Sequence, residues 1–173
     1  ARGAHLAAMQ ADGLRITSPM GDAHITDIHA VADASEVGLA DVILFMVKNR
    51  DVETAAEAIK PMLGEQTMVI TCQNGVTAHE RLGAIIGAQH VVPGVARIPA
   101  SIPEPGRVLH DSEFDVLVFG EPDGSTSARC QSLADALNES PGATPLISTA
   151  ILHDLWGKFC SQSSLASLTT LTG

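Results

Sequence analysis

The chain has 173 residues, 45% apolar and 17% charged, which is enough to bury a full core and too apolar to remain disordered. A net charge of −10 with no Lys/Arg cluster repels a phosphate backbone, so nucleic acid is not an expected partner. No apolar run approaches the roughly 20 residues that cross a bilayer, so no membrane is expected, and neither CxxC nor HExxH spacing marks a metal site.

The opening ARGAHLAAMQADG predicts a helix ending at Gly13, entered through Ala1, Arg2 and Gly3 as if leaving a strand. LRITSP and AHITDIHAV (14–19 and 23–31) alternate apolar and polar residues around a Pro-Met-Gly-Asp turn, the pattern of a hairpin with one wet face. DVILFMVK (41–48) is instead a continuous apolar run, as expected of a parallel strand covered on both faces. A helix over 51–59 leaves through Pro61 and Gly64, and TMVITCQNG (67–75) is a second buried strand ending in a polar turn. A helix over 76–86 and a strand over 90–100 follow. GRVLHDSEFDVLVF (106–119) predicts two strands joined by a short polar turn, where the sheet becomes mixed. A helix near 126–138, a short strand near 144–147 and a helix to the end of the chain complete the order. Buried strands alternating with helices predict a doubly wound α/β sheet.

One signature is missing from that order. Dinucleotide-binding domains of this kind open with a strand, a GxGxxG turn and a helix, and no such turn occurs here. The hairpin and the later strand–helix units read as the second part of such a domain. The expectation is a chain without its first segment; a different α/β protein is the other reading.

Several positions then carry chemistry. In VKNRD (47–51) Lys48 stands just past a strand's carboxyl end, where ligands of doubly wound sheets bind, and it is either a phosphate or ribose contact or a solvated loop lysine. In CQNGV (72–76) Asn74 either points an amide at a ligand or serves a tight turn. Arg2, at the exit of a strand, is placed for a 2′-phosphate or is a surface arginine. His110 reads as a structural hydrogen-bonding residue. In ILHDLWGKFCSQSSLAS, Ile151, Leu152, Leu155, Trp156 and Phe159 form one helical stripe with Lys158 on its flank. Asp154, four residues earlier, offers Lys158 an ion pair worth about 0.2–0.5 kcal/mol. The run Ser161, Gln162, Ser163, Ser164 and Ser167 offers instead a polar pocket beside it.

ARGAHLAAM, DVILFMVK, the QNGV turn, GVARIPA…PGRVLH…FGE, and LWGKF followed by LTTLTG, in this order and spacing, resemble the ketopantoate reductase (2-dehydropantoate 2-reductase) family along essentially the whole chain. The resemblance implies a Rossmann-type domain over 1–148 without its first strand, glycine turn and helix. Residues 149–173 would form the first helix of an all-helical substrate and dimerisation domain. The whole would be an internal piece of a parent protein of roughly 300 residues, inactive alone. It implies NADPH as cofactor, with Arg2 at the 2′-phosphate, Lys48 near the adenosine ribose and phosphate, and Asn74 near the nicotinamide and substrate. It makes Lys158 the catalytic lysine that protonates the keto oxygen of a 2-keto acid as the hydride arrives.

Well-characterised members carry substrate-binding asparagines four and eight residues after this lysine, where Gln162 and Ala166 stand here. Gln162 reproduces an amide on a longer arm and Ala166 does not, so the implied substrate is a 2-keto acid rather than ketopantoate in particular. If it is ketopantoate, the reaction belongs to pantothenate biosynthesis. The other functional reading keeps the fold and NADP(H) binding but loses catalysis, as in a sensory module. Three widely spaced cysteines and no targeting signal lead us to expect a cytoplasmic protein. A homodimer is among the assemblies open to it.

Overall fold

Fourteen elements follow one another in the structure, a computed structural model that describes residues 1–139 and 142–172. They are α1 (Gly3–Asp12), β1 (Leu14–Thr17), β2 (Ala23–Ile25), β3 (Ala40–Phe45), α2 (Val52–Ile59), β4 (Leu63–Thr71) and α3 (Ala78–Ile86). Then come β5 (Val91–Arg97), β6 (Ala100–Glu104), β7 (Arg107–His110), β8 (Val116–Phe119), α4 (Ala128–Asn138), β9 (Thr144–Ile147) and α5 (Ile151–Thr172). Short 3₁₀ turns join several of them. Position 173 of the expected final helix lies outside the described residues.

The main sheet has the order β3-β4-β5-β8-β9. β3, β4 and β5 run parallel, β8 runs antiparallel to β5, and β9 is parallel to β8. β4 and β5 are covered on both faces over most of their length, as their unbroken apolar runs imply, whereas β3, expected to be covered likewise, lies at the sheet edge and buries only Ile43 and Phe45, with Val42 and Leu44 exposed. Val52, Ala56 and Ile59 of α2 and Leu82 and Ile86 of α3 pack with Ile43, Phe45 and Val69. The opposite side chains of β4, Met68 and Ile70, pack with Phe119 and with Cys130 and Leu133 of α4. Each fully buried Val, Leu, Ile, Phe or Met side chain among them contributes about 1.5–3 kcal/mol. α5 joins through Ile151 and Leu155, which close on Val95 of β5. This is the Rossmann-type α/β arrangement expected.

A second sheet, β2-β1-β7-β6, stands beside it. Here three expectations need correction. The two strands expected over 106–119 are β7 and β8, joined through 111–115, and β8 makes the main sheet mixed as expected, but the two lie in different sheets: β7 pairs with β6 across Pro105–Gly106 and runs parallel to β1. The β6–β7 turn is made by Gly106, whose φ of 78° only glycine adopts readily. The strand expected over 90–100 accordingly ends at Arg97, and the chain changes sheets through Ile98 and Pro99. β2 stops at Ile25, short of 31, because the carbonyls of Ala30 and Val31 accept from Gln10 Nε2 and the Ala1 amine, both at 2.9 Å.

Candidate active site

The carboxyl ends of β4 and β5 and one face of α5 meet at the site. Gly75, with φ 104°, turns the chain sharply after β4 and leaves Asn74 exposed at the sheet edge. Just before it, Gln73 is buried and its Nε2 donates to the Phe45 carbonyl at 2.6 Å, tying the end of β4 to that of β3. Its Oε1 is the one buried side-chain polar atom without a partner among the described residues.

Lys158 reaches in from α5, half-buried, and its Nζ donates to the Ala96 carbonyl at 2.8 Å. Burial lowers its pKa from the ordinary lysine value; the thiol of Cys72 works against that and the cation of Arg97 adds to it. Cys72 shows the complementary effect. Burial pushes its thiol up to about 11, offset only in part by the Lys158 charge and the Ala96 backbone.

The ion pair expected between Asp154 and Lys158 does not form. Asp154 accepts instead from the Ser148 hydroxyl at 2.5 Å, across the start of α5, and Lys158 turns to the strand. Helical spacing brings two groups near each other, but a hydroxyl ahead of the helix offers the carboxylate a hydrogen-bonding partner at its own end. Of the polar run expected beside Lys158, Ser161 and Gln162 line a cleft with the lysine and Ser163 lines the neighbouring one, but the serines are turned back on their own helix. Ser161, Ser163 and Ser167 each donate to a carbonyl three or four residues back on α5, and Gln162 is exposed rather than buried. Of the apolar stripe only Ile151 and Leu155 are buried, while Leu152, Trp156 and Phe159 remain exposed.

Two clefts open along α5. One, of about 940 Å³, is lined by Lys158, Cys72, Asn74, Arg97, Phe114 and Gln162, among others. The other, of about 560 Å³, is lined by Asn49, Asn74, Gly75, Phe159, Gln162 and Ala166, among others. Asn74 and Gln162 face both. The structure therefore brings three of the five predicted site residues together. Lys48 and Arg2 are exposed and line neither cleft, Lys48 preceding the 3₁₀ turn after β3 and Arg2 preceding α1.

Three residues went unforeseen. Arg81 of α3 clamps the loop after β3, donating to Asn49 Oδ1 at 2.6 Å and to both Glu53 carboxylate oxygens at 2.6 and 2.7 Å. Gln73 stood in a motif already marked, next to the residue chosen. Arg97 carried no local signal at all.

The sequence model of the family described as ketopantoate reductase PanE/ApbA matches residues 1–124. The chain belongs to the ketopantoate reductase family. The 2-dehydropantoate 2-reductase of Mesorhizobium japonicum is 32% identical over 193 residues, covering 100% of this chain and 58% of its own length. That of Halobacterium salinarum is 30% identical, covering 96% and 54% respectively. The crystal structure of 2-dehydropantoate 2-reductase from Porphyromonas gingivalis W83 superposes with a TM-score of 0.91 at 30% identity, over 98% of this chain and 59% of that one. The chain thus spans a little over half the length of these ketopantoate reductase relatives. Among the described residues no helix is long and apolar enough to cross a membrane.

Proposed function

We propose that the protein is an NADPH-dependent reductase that converts a 2-keto acid to the 2-hydroxy acid. In this reading residues 1–148 belong to the NADP-binding domain and 149–173 begin a helical substrate domain. The observation that carries it is the placement of Lys158, a half-buried ammonium fixed against Ala96 in a cleft shared with Asn74 and Gln162. The groups present suit an anionic nucleotide: exposed Lys48 and Asn74 lie beyond the carboxyl ends of β3 and β4, where such ligands bind. Arg2 supports the choice of NADPH by its exposed position before α1, as the partner of a 2′-phosphate.

When bound, the nicotinamide supplies the hydride. The chain's own part is to hold a proton at Lys158 Nζ. One of the three ammonium hydrogens is engaged by Ala96, which fixes the direction of the side chain and leaves two for the keto oxygen. Negative charge grows on that oxygen as the carbon is reduced, and a cation kept partly out of water stabilises it more than one in bulk solvent. Asn74 and Gln162 supply amides on either side of the substrate.

The test is titration of the full-length protein with NADPH and NADH, followed by assay of a panel of 2-keto acids. We expect tighter binding of NADPH, turnover of at least one keto acid, and a loss of roughly 100- to 10,000-fold in kcat/KM for Lys158→Met. Cofactor binding with no turnover across the panel would overturn the reductase in favour of a sensory module.

A further inference from the structure

The larger cleft holds a second cation that the proposed reaction leaves unassigned. Arg97 is the last residue of β5 and is exposed where the chain leaves the main sheet. Arg15, Arg50, Arg81, Arg107 and Arg129 each lie within salt-bridge reach of a carboxylate, whereas Arg97 has no such partner among the described residues. Acids outnumber bases 20 to 10 in this chain, yet no Asp or Glu lines the cleft, where the two charged groups are Arg97 and Lys158. The two cations are close enough for Arg97 to disfavour the Lys158 ammonium. Like charges held together without a counter-ion mark a place for an anion.

We propose that Arg97 binds the substrate's carboxylate, while Lys158 meets the neighbouring keto oxygen and the apolar wall of Ile98, Pro99, Phe114 and Leu165 selects a 2-oxo acid with an apolar side chain. The inference rests on the reductase reading and adds a specificity-determining residue to it. A 2-oxo acid suits this pair because its carboxylate and oxo oxygen sit on adjacent carbons. A guanidinium suits the first because its planar fork meets both carboxylate oxygens at once.

The experiment compares the unaltered full-length protein with Arg97→Met and Arg97→Lys. Each is assayed on the best 2-oxo acid of the panel and on its methyl ester, which keeps the skeleton and lacks the charge. Binding of oxamate, an unreactive mimic of a 2-oxo acid, is measured by calorimetry with cofactor present. We expect Arg97→Met to lose roughly 10- to 100-fold in kcat/KM for the acid, mostly through KM. The ester should stay within a few-fold of the unaltered protein, oxamate binding should weaken in parallel with the acid, and Arg97→Lys should recover part of both. Absence of turnover by the unaltered protein would defeat the reductase reading, while oxamate binding, which needs no chemistry, would still judge Arg97. Oxamate binding unchanged in Arg97→Met, or equal losses for acid and ester, would overturn the assignment.

Discussion

At Lys158 two influences act in one direction. Burial and the Arg97 cation both disfavour the ammonium, so the proton leaves below the ordinary lysine value of 10.5. The sign for the proposed catalysis follows: the acid form is lost at a lower pH than for an ordinary lysine. We expect kcat/KM to fall with an apparent pKa below 10.5, and Arg97→Met to move that limb upward; a limb unmoved by the substitution would show that the arginine's charge does not reach the lysine. For stability the sign is the same as for any depressed cation. Between the folded value and 10.5 the unfolded chain holds the proton more tightly, so this residue's contribution rises with pH across that interval. Lys158 was legible from its setting, a cation flanked by Trp156 and Phe159 on a helix entering a cleft. Arg97 was not, because GVARIPA looks like any strand end; what makes the arginine special is the departure of the strand from its sheet, a non-local event. Asp154 shows the opposite failure, since its spacing was right and Ser148, outside the helix, took its carboxylate.

Among the elements, the join between β8 and β9 is the tightest. A Cβ added at Gly120 would stand 2.0 Å from the Ser148 carbonyl oxygen, a backbone atom that cannot step aside without moving the start of α5. Ser148 also donates to Asp154, so the displacement would pass into the helix that carries Lys158. Gly120→Ala should therefore cost about 1–3 kcal/mol, read as a lower denaturant midpoint. It should also lower turnover, and a midpoint unchanged from the unaltered protein would refute the close approach. β4 and β5 were readable because burial on both faces leaves long apolar runs, and the helices between the strands keep their period; the run of β3 looks the same although one of its faces is exposed. The β6–β7 hairpin was not readable. All five residues of β6 are exposed and one is a proline, so ASIPE gives no strand pattern, and the pairing is fixed by the Pro105–Gly106 turn and by β1 far back in the sequence.

Over the whole molecule, apolar surface is unevenly spread. β3 pairs only with β4 among the described residues, and Val42, Leu44 and Met46 are exposed along it. α5 adds Trp156, Phe159, Leu165 and Leu168, and Trp156 is 55% exposed. An unpaired strand flank and large exposed apolar side chains on a helix both favour association. Residues 1–173 expressed alone should bind a hydrophobic dye and elute above monomer size in light scattering, with no reductase turnover; a dye-silent monomer would contradict this. Segment order was legible at this scale, and the existence of two sheets was not, since nothing local distinguishes a strand that stays from one that departs.

His110 ties that second sheet to the larger cleft. Buried at the end of β7, its Nε2 donates to the Phe114 carbonyl at 3.0 Å, which leaves Nδ1 to accept from the Ser18 hydroxyl at 2.9 Å in the neutral ring. Phe114 lines the larger cleft, and Arg97 and Ala100 face it from either side of the crossing between sheets. The cleft wall is therefore a joint, with its aperture set by how the two sheets are pinned to each other. In the proposed reductase, selection among substrates of different bulk would then be retuned by substitutions around Ser18 and His110 that never touch the substrate, a route by which one scaffold would drift between keto acids while its lysine stays in place.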